Sequence, residues 1–500
     1  MTAANNNTTV ACLVPDVLCE IFGYVRDAHG FSLDDRNSPV LRLSQVSRDW
    51  RAAAFSSASL WAVIKLGYYS IDSDVSDRTD DIARAVAYHL EKSRPAPLTV
   101  DILWEDGPAL DLLLHESDRW RSCVICDIDD EMEHRAGVAP REFPSLEHLH
   151  LDQDERTPYF SRAPSLRSYE GFFDETMNLP WRQLTSVTLS GDEIEPNDIV
   201  TALAWCTNAT FFKATDIFVT GTQRPIVDAK CPSLQSVELV TAESNTRGLL
   251  SRILDRVTAP RLTSLDIGGP WNSTPWSWSS KSTDALVACL DRSHTALTSL
   301  ALRNVQITPS ALCRLFKSLP ALERLTWCEM EEEPLSYLDV LVAAIGRGTE
   351  SSPASECPLP RLAHLEISGG LQHCVDPQGP AQIIRYRVRN TALRHVVLEY
   401  LQDCTLEQAV RDELRELLDT FVVREHVPRD RGIFMYDDDL KDEDESEEDD
   451  SDEDDSDEDE DEDEDDEDDE DDEDDDDEDD SDDSDHDSDS DLDLDDLGMH

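Results

Sequence analysis

One short pattern recurs through the middle of this chain: Leu-x-x-φ-x-φ, where φ is apolar, often with a proline two residues before the leucine. Clear copies are Pro144-Ser-Leu146-Glu-His-Leu149-His-Leu151, Leu184-Thr-Ser-Val187-Thr-Leu189 and Pro232-Ser-Leu234-Gln-Ser-Val237-Glu-Leu239. Others are Pro260-Arg-Leu262-Thr-Ser-Leu265-Asp-Ile267, Leu297-Thr-Ser-Leu300-Ala-Leu302 and Pro320-Ala-Leu322-Glu-Arg-Leu325-Thr-Trp327. The last two are Pro360-Arg-Leu362-Ala-His-Leu365-Glu-Ile367 and Leu393-Arg-His-Val396-Val-Leu398. Weaker copies start at Trp120, Leu166 and Ala209, and successive starts lie 18 to 40 residues apart. Alternation of φ and x marks a short strand with one face inward. Such a strand cannot bury that face alone, so each copy needs stacked neighbours.

Amphipathic helices fit between the copies. Leu249, Leu250, Ile253, Leu254 and Val257 mark one. Thr308 as N-cap with Pro309 at N1, then Leu312, Leu315 and Phe316, mark another. Thr405 and Gln408 form a capping-box pair ahead of Val410, Leu414, Leu417, Leu418 and Phe421. The whole resembles a leucine-rich-repeat array, whose period is about 20 to 29 residues. The resemblance implies an α/β solenoid of parallel strands and helices over residues 98–430. The array is degenerate: the usual Asn or Cys after each strand is mostly missing, and two steps are long.

In such an array the exposed x positions form the concave, partner-binding face. They include Glu147, His148, His150, Thr188, Glu238, Asp266, Ala301, Thr326, Glu366 and Val397. Carboxylates are common among them, so Glu238, Asp266 and Glu366 are candidate contacts for a basic or polar protein substrate. A tryptophan-rich stretch with Trp271, Trp276 and Trp278 is the second candidate, since exposed aromatics often anchor interfaces. The alternative for that stretch is a surface insertion that folds its indoles back on the array.

Ahead of the repeats lies a different pattern, residues 13–65. It begins Leu13-Val-Pro15-Asp-Val-Leu18-Cys-Glu-Ile21-Phe22-Gly-Tyr-Val25. It ends Leu43-Ser-Gln-Val46-Ser-Arg-Asp-Trp50-Arg, then Ser59-Leu60-Trp61. Pro15 suits a first helical turn. Leu18, Ile21, Phe22 and Val25 share one helix face. A second helix is expected from Leu41 to Phe55, with Pro39 as its start signal. So few residues bury little surface alone. The order of these residues resembles an F-box, although the polar link after Val25 is longer than in a compact one. The resemblance implies docking to a Skp-type adaptor, and through it to a cullin. Pro15, Leu18, Ile21, Phe22 and Val25 would then face the adaptor, while Leu43, Val46, Trp50, Leu60 and Trp61 would hold the module together. Residues 66–97 are expected to be linker helices, and residues 1–12 disordered.

The net charge of −67 is unevenly placed. Residues 437–500 hold 48 Asp or Glu and one Lys, a net of −47; the other 436 residues carry 62 acidic against 42 basic side chains, or −20. The tail repels itself and has nothing apolar to bury, so it is expected to be disordered. Each of its seven serines except Ser481 has an acidic residue three positions on, the setting an acidophilic kinase prefers. Two readings of the tail stand equally: it binds histones, other basic proteins or the chain's own basic patches, or it is a solubilising, self-avoiding tail; repulsion from phosphates makes it poorly suited to nucleic acid. No apolar run reaches the length of a membrane span, so neither a membrane nor a nucleic acid is an expected partner. The N-terminus lacks a signal layout, which with the scattered cysteines favours the cytosol or nucleus. Cys123-Val-Ile-Cys126 is a lone pair and does not argue for a metal.

No phosphate-cradling glycine loop, nucleophile elbow or metalloprotease motif is present. The chain therefore reads as non-catalytic, without cofactor or metal. Two binding roles fit: a substrate receptor of a cullin-RING ubiquitin ligase, or an acidic leucine-rich-repeat protein that binds basic partners.

Overall fold

The computed structural model describes residues 13–28, 39–66, 79–102, 108–126, 142–152, 158–191, 194–218, 227–241, 248–269, 275–329, 338–345, 358–369, 379–400 and 408–425. All belong to one unit spanning residues 1–431. Residues 1–12, Trp271, Thr405 and the acidic tail lie outside the described residues.

Four helices come first: α1 (Pro15–Ala28), α2 (Pro39–Ser44), α3 (Arg48–Ser56) and α4 (Ala58–Trp61). Pro15 and Pro39 each open a helix. The single helix expected from Leu41 to Phe55 is instead two. Ser47 adopts an extended conformation and its hydroxyl accepts from the Trp50 N–H at 3.1 Å, capping a new helix.

The strands follow as β1 (Val63–Leu66), β2 (Leu98–Ile102), β3 (Trp120–Ile125), β4 (His148–Leu151), β5 (Ser168–Gly171) and β6 (Ser186–Leu189). Then come β7 (Phe211–Ile217), β8 (Ala229–Lys230), β9 (Ser236–Thr241), β10 (Val257–Thr258), β11 (Ser264–Gly268) and β12 (Trp276–Trp278). Last are β13 (Ser299–Arg303), β14 (Val305–Ile307), β15 (Arg324–Cys328), β16 (His364–Ser368), β17 (His395–Tyr400) and β18 (Thr420–Glu425). Fourteen of them make one sheet, ordered β1-β2-β3-β4-β5-β6-β7-β9-β11-β13-β15-β16-β17-β18. Every neighbouring pair is parallel. Each strand is laid beside the one before it, which makes a leucine-rich-repeat-like α/β solenoid.

Between strands run α5 (Thr79–Lys92), α6 (Pro108–His115), α7 (Pro196–Trp205), α8 (Leu249–Leu254), α9 (Ser280–Ser293), α10 (Pro309–Lys317), α11 (Leu338–Ile345), α12 (Gly379–Asn390) and α13 (Gln408–Leu417). Their apolar sides join the inward strand residues in one continuous core. Thr308 caps α10 as expected, accepting from the Ala311 N–H with Pro309 at the first turn.

The sheet begins earlier than residue 98. Val63↔Thr99 and Leu66↔Ile102 are in parallel register, so residues 63–66 already form the first strand. The helix in the stretch expected to be a linker is that repeat's own: Ile82, Val86 and Leu90 of α5 lie in the solenoid core.

The leading leucine of each clear copy is buried, and in most copies it closes a tight turn. The N–H groups of Leu146, Leu234, Leu262 and Leu322 each donate to the carbonyl three residues back. The next two N–H groups then share one carbonyl of the preceding repeat. Thr263 and Ser264 donate to Gln235 O, Thr298 and Ser299 to Thr263 O, and Glu323 and Arg324 to Thr298 O. Threonine hydroxyls reinforce this spine: Thr185, Thr210, Thr263 and Thr298 each donate to a carbonyl of the repeat before. These bonds tie each repeat to the one before it at the entry to the strand.

Candidate functional site

Helix α1 is apolar on two sides. Leu18 and Phe22 point inward and are 3% and 0% exposed. With Val40, Ala53, Ala54, Leu60 and Trp61 they form a small core separate from that of the solenoid. Phe22 packs on Trp50 at 5.1 Å between ring centroids. The Trp61 indole donates to Ala54 O at 2.9 Å, and the Arg26 guanidinium donates to Ser59 O at 2.7 Å. Leu18 and Phe22 therefore do not present an outward face, as sequence reasoning expected, because α2, α3 and α4 close over them.

The outward stripe is Val14, Val17, Ile21 and Tyr24, exposed by 58%, 42%, 38% and 74%. Of the five residues expected at an adaptor, Pro15 and Ile21 are exposed and Val25 is half-buried. Leu43 and Trp50 pack against the module core as expected. Val46 does not: it is 62% exposed. The chain leaves the helix after Ser44, which turns Val46 outward. An apolar stripe this exposed, on a helix whose other apolar side is already buried, marks an interaction surface.

Beside the stripe lies a groove of about 310 Å³ lined by Cys19, Glu20, Gly23, Tyr24, Arg26, Asp27, Ser59 and Leu60. Gly23 stands inside α1, where glycine costs roughly 0.5–1 kcal/mol relative to alanine. A Cβ at Gly23 would meet no atom within 4 Å.

The open face of the sheet carries a continuous row with one residue from each strand from β1 to β17 in the sheet. Lys65, Asp101, Val124, His150, Glu170, Thr188, Lys213, Glu238, Asp266, Ala301, Thr326, Glu366 and Val397 lie in register. Much of its charge is paired across strands. Lys65 meets Asp101 at 3.3 Å and Lys213 meets Glu238 at 3.1 Å. Arg303 grips Asp266 through two nitrogens at 2.7 and 2.9 Å. Glu238 and Asp266 thus already hold cations, while Glu366 accepts only a long hydrogen bond from Thr326 among the described residues, at 3.5 Å.

Two residues that the repeat pattern did not single out stack beside Glu366. His364 and His395 lie 4.3 Å apart at 10° between ring planes. Burial, His395 and Arg324 together push the pKa of His364 down. The signal was available: both occupy the position just before the first φ of their copies.

Trp276 and Trp278 are not at the surface. They are 1% and 3% exposed, their strand β12 pairs with β14, and the Trp278 indole donates to the Thr283 hydroxyl at 2.9 Å. The apolar area of two indoles outweighs any gain from leaving them in water. The two are core residues rather than substrate contacts.

Residues 15–66 match the F-box-like family. The chain is therefore an F-box-like domain followed by a leucine-rich-repeat-like solenoid, the plan of a protein-interaction adaptor. Scaffolds of these two kinds are generally non-catalytic. No curated protein matches the chain. Among solved structures it is similar to a protein from Bacteroides fragilis, with 12% identity, 72% of this chain and 86% of that one covered, and a TM-score of 0.28. It is also similar to TLR13 in its complex with ssRNA13, with 13% identity, 74% and 52% covered, and a TM-score of 0.32. Among the described residues no group of three or more His, Cys, Asp or Glu is placed to hold a metal ion.

Proposed function

We propose that this protein is the substrate-recognition subunit of an SCF-type cullin-RING ubiquitin ligase. The observation that carries the reading is the F-box-like match over residues 15–66, joined to an outward apolar stripe on α1. F-box domains generally bind Skp-type adaptors, and Val14, Val17, Ile21 and Tyr24 supply the apolar area for such a contact. The open face of the solenoid would hold a protein target. Catalysis would then belong to the ligase, and this chain would act by tethering, which raises the effective concentration of a target lysine near the ubiquitin carrier. Pairing of Glu238 and Asp266 with their own cations weakens the competing role of an acidic binder of basic proteins, as far as this face is concerned.

Capture from a lysate with the full chain as bait tests the reading. The wild type should retain a Skp-type adaptor and a cullin. A variant with Val17→Asp, Ile21→Asp and Tyr24→Asp should fold and retain neither. A wild type that captures no adaptor would sink the proposal.

A further inference from the structure

The groove beside α1 supports an inference that rests on the F-box reading just proposed. Gly23 is one of the residues lining it, and nothing in the chain's own packing requires a glycine there. A Cβ would meet no atom within 4 Å, and Gly23 is not among the residues with positive φ. The helix thus keeps open a strip of backbone that its own fold leaves unfilled. The strip adjoins the outward stripe, since Tyr24 belongs to both.

The walls of the groove decide what fits. Tyr24, 74% exposed, supplies an aromatic wall, whereas Leu60 lines the groove but is itself buried. Asp27 is held by Arg26, with nitrogen–oxygen distances of 2.8 and 2.9 Å, and the same guanidinium donates to Ser59 O. Glu20 is exposed and makes no ion pair among the described residues. It lies one turn before Gly23, on the same side of the helix. The uncompensated charge of the groove is therefore negative and sits at one end of the bare backbone.

We propose that this groove receives a lysine or arginine side chain of the Skp-type adaptor. Its alkyl stem lies along the strip that Gly23 leaves bare. Its cation reaches the Glu20 carboxylate and the face of Tyr24. Gly23 then sets how closely the adaptor can approach α1, and Glu20 sets which side chain it must bring.

Titration of the full chain with a purified Skp-type adaptor by calorimetry tests this. Gly23→Leu fills the strip and should weaken binding by about tenfold or more. Its Tm should be no lower than that of the wild type, because leucine is the better helix former. Glu20→Gln keeps the shape, removes the charge, and should weaken binding by about threefold while flattening its salt dependence. A wild type that binds while both variants bind equally well overturns the groove and leaves the F-box reading standing. Loss in Gly23→Leu with full binding by Glu20→Gln overturns the basic occupant. No binding by the wild type overturns both the inference and the reading beneath it.

Discussion

The indole of Trp61 meets the imidazole of His89 edge-on, 5.1 Å between ring centroids and 68° between ring planes. Trp61 ends α4 in the N-terminal module, and His89 lies in α5, the first helix of the solenoid. Tyr88 also meets this indole edge-on, at 5.5 Å between ring centroids. One residue, Ala62, separates α4 from β1. Among the described residues, Trp61 thus joins the small core of the module to the first helix of the array.

Burial pushes the His89 pKa down to about 4, against a weaker upward pull from its hydrogen bond to the Trp61 backbone. The unfolded chain therefore takes up this proton first. The stabilisation is whole above pH 6.5 and is lost as pH falls toward 4. At pH 5 the loss from this group is about 2 kcal/mol. Urea unfolding at pH 7.5 and 5.0 measures it: the wild type should lose that much more than His89→Gln. Equal losses would contradict a neutral buried imidazole.

The two apolar sides of α1 should separate in mutants. Phe22→Ala empties a filled core position and should cost about 3–5 kcal/mol in the module. Val17→Ala, on the exposed stripe, should change stability by less than about 0.5 kcal/mol. Hydrogen exchange at the amides of α1 and α3 reads both. Similar protection in the two variants would refute the inward placement of Phe22.

Gly171 and Gly23 should respond oppositely to alanine. Gly171 has φ +142°, and a Cβ there would run into the carbonyl oxygen of Leu151. Gly171→Ala should destabilise by about 2 kcal/mol or more. Gly23→Ala should stabilise by about 0.5–1 kcal/mol. Thermal unfolding of the two variants beside the wild type settles the sign of each.

Cys206 and Cys231 should be inert thiols. Burial pushes both up to about 12, so the reactive thiolate is scarce at pH 8. A disulfide-exchange reagent at that pH should label neither until denaturant is added. Rapid labelling of the native protein at either position would show that these cysteines are reached by solvent.

Much of this architecture is legible in the sequence. The repeat pattern fixed the strands because a period of two with a leading leucine has one buried solution, and even the weak copies at Trp120, Leu166 and Ala209 lie in or just before strands. The first strand was missed because Val63-Ile-Lys-Leu66 has Leu60 and Trp61 before it, which read equally well as the end of a helical module. Of the two readings of the tryptophan-rich stretch, the structure has the one in which Trp276 and Trp278 fold back into the array. Trp276-Ser-Trp278 shows the alternation of a strand, but its partner strand is 29 residues away at Val305, and no local rule announces a short second ladder. On α1, periodicity found the helix face and not what covers it. Leu18 and Ile21 are both apolar and one turn apart; only the docking of three short helices separates core from surface. Cross-strand pairing of Asp266 with Arg303, 37 residues on, is likewise a property of register that composition does not reveal.

The direct passage from α4 into β1 has a practical consequence. A stacked array must shield the apolar end of its first repeat, and here that task falls to the helical module through Trp61. Cutting the chain after residue 61 to isolate the repeats would remove their lid as well as their adaptor contact. Aggregation of such a fragment would then say nothing about what the repeats bind. The surface substitutions on α1, which leave the lid in place, separate the two roles cleanly.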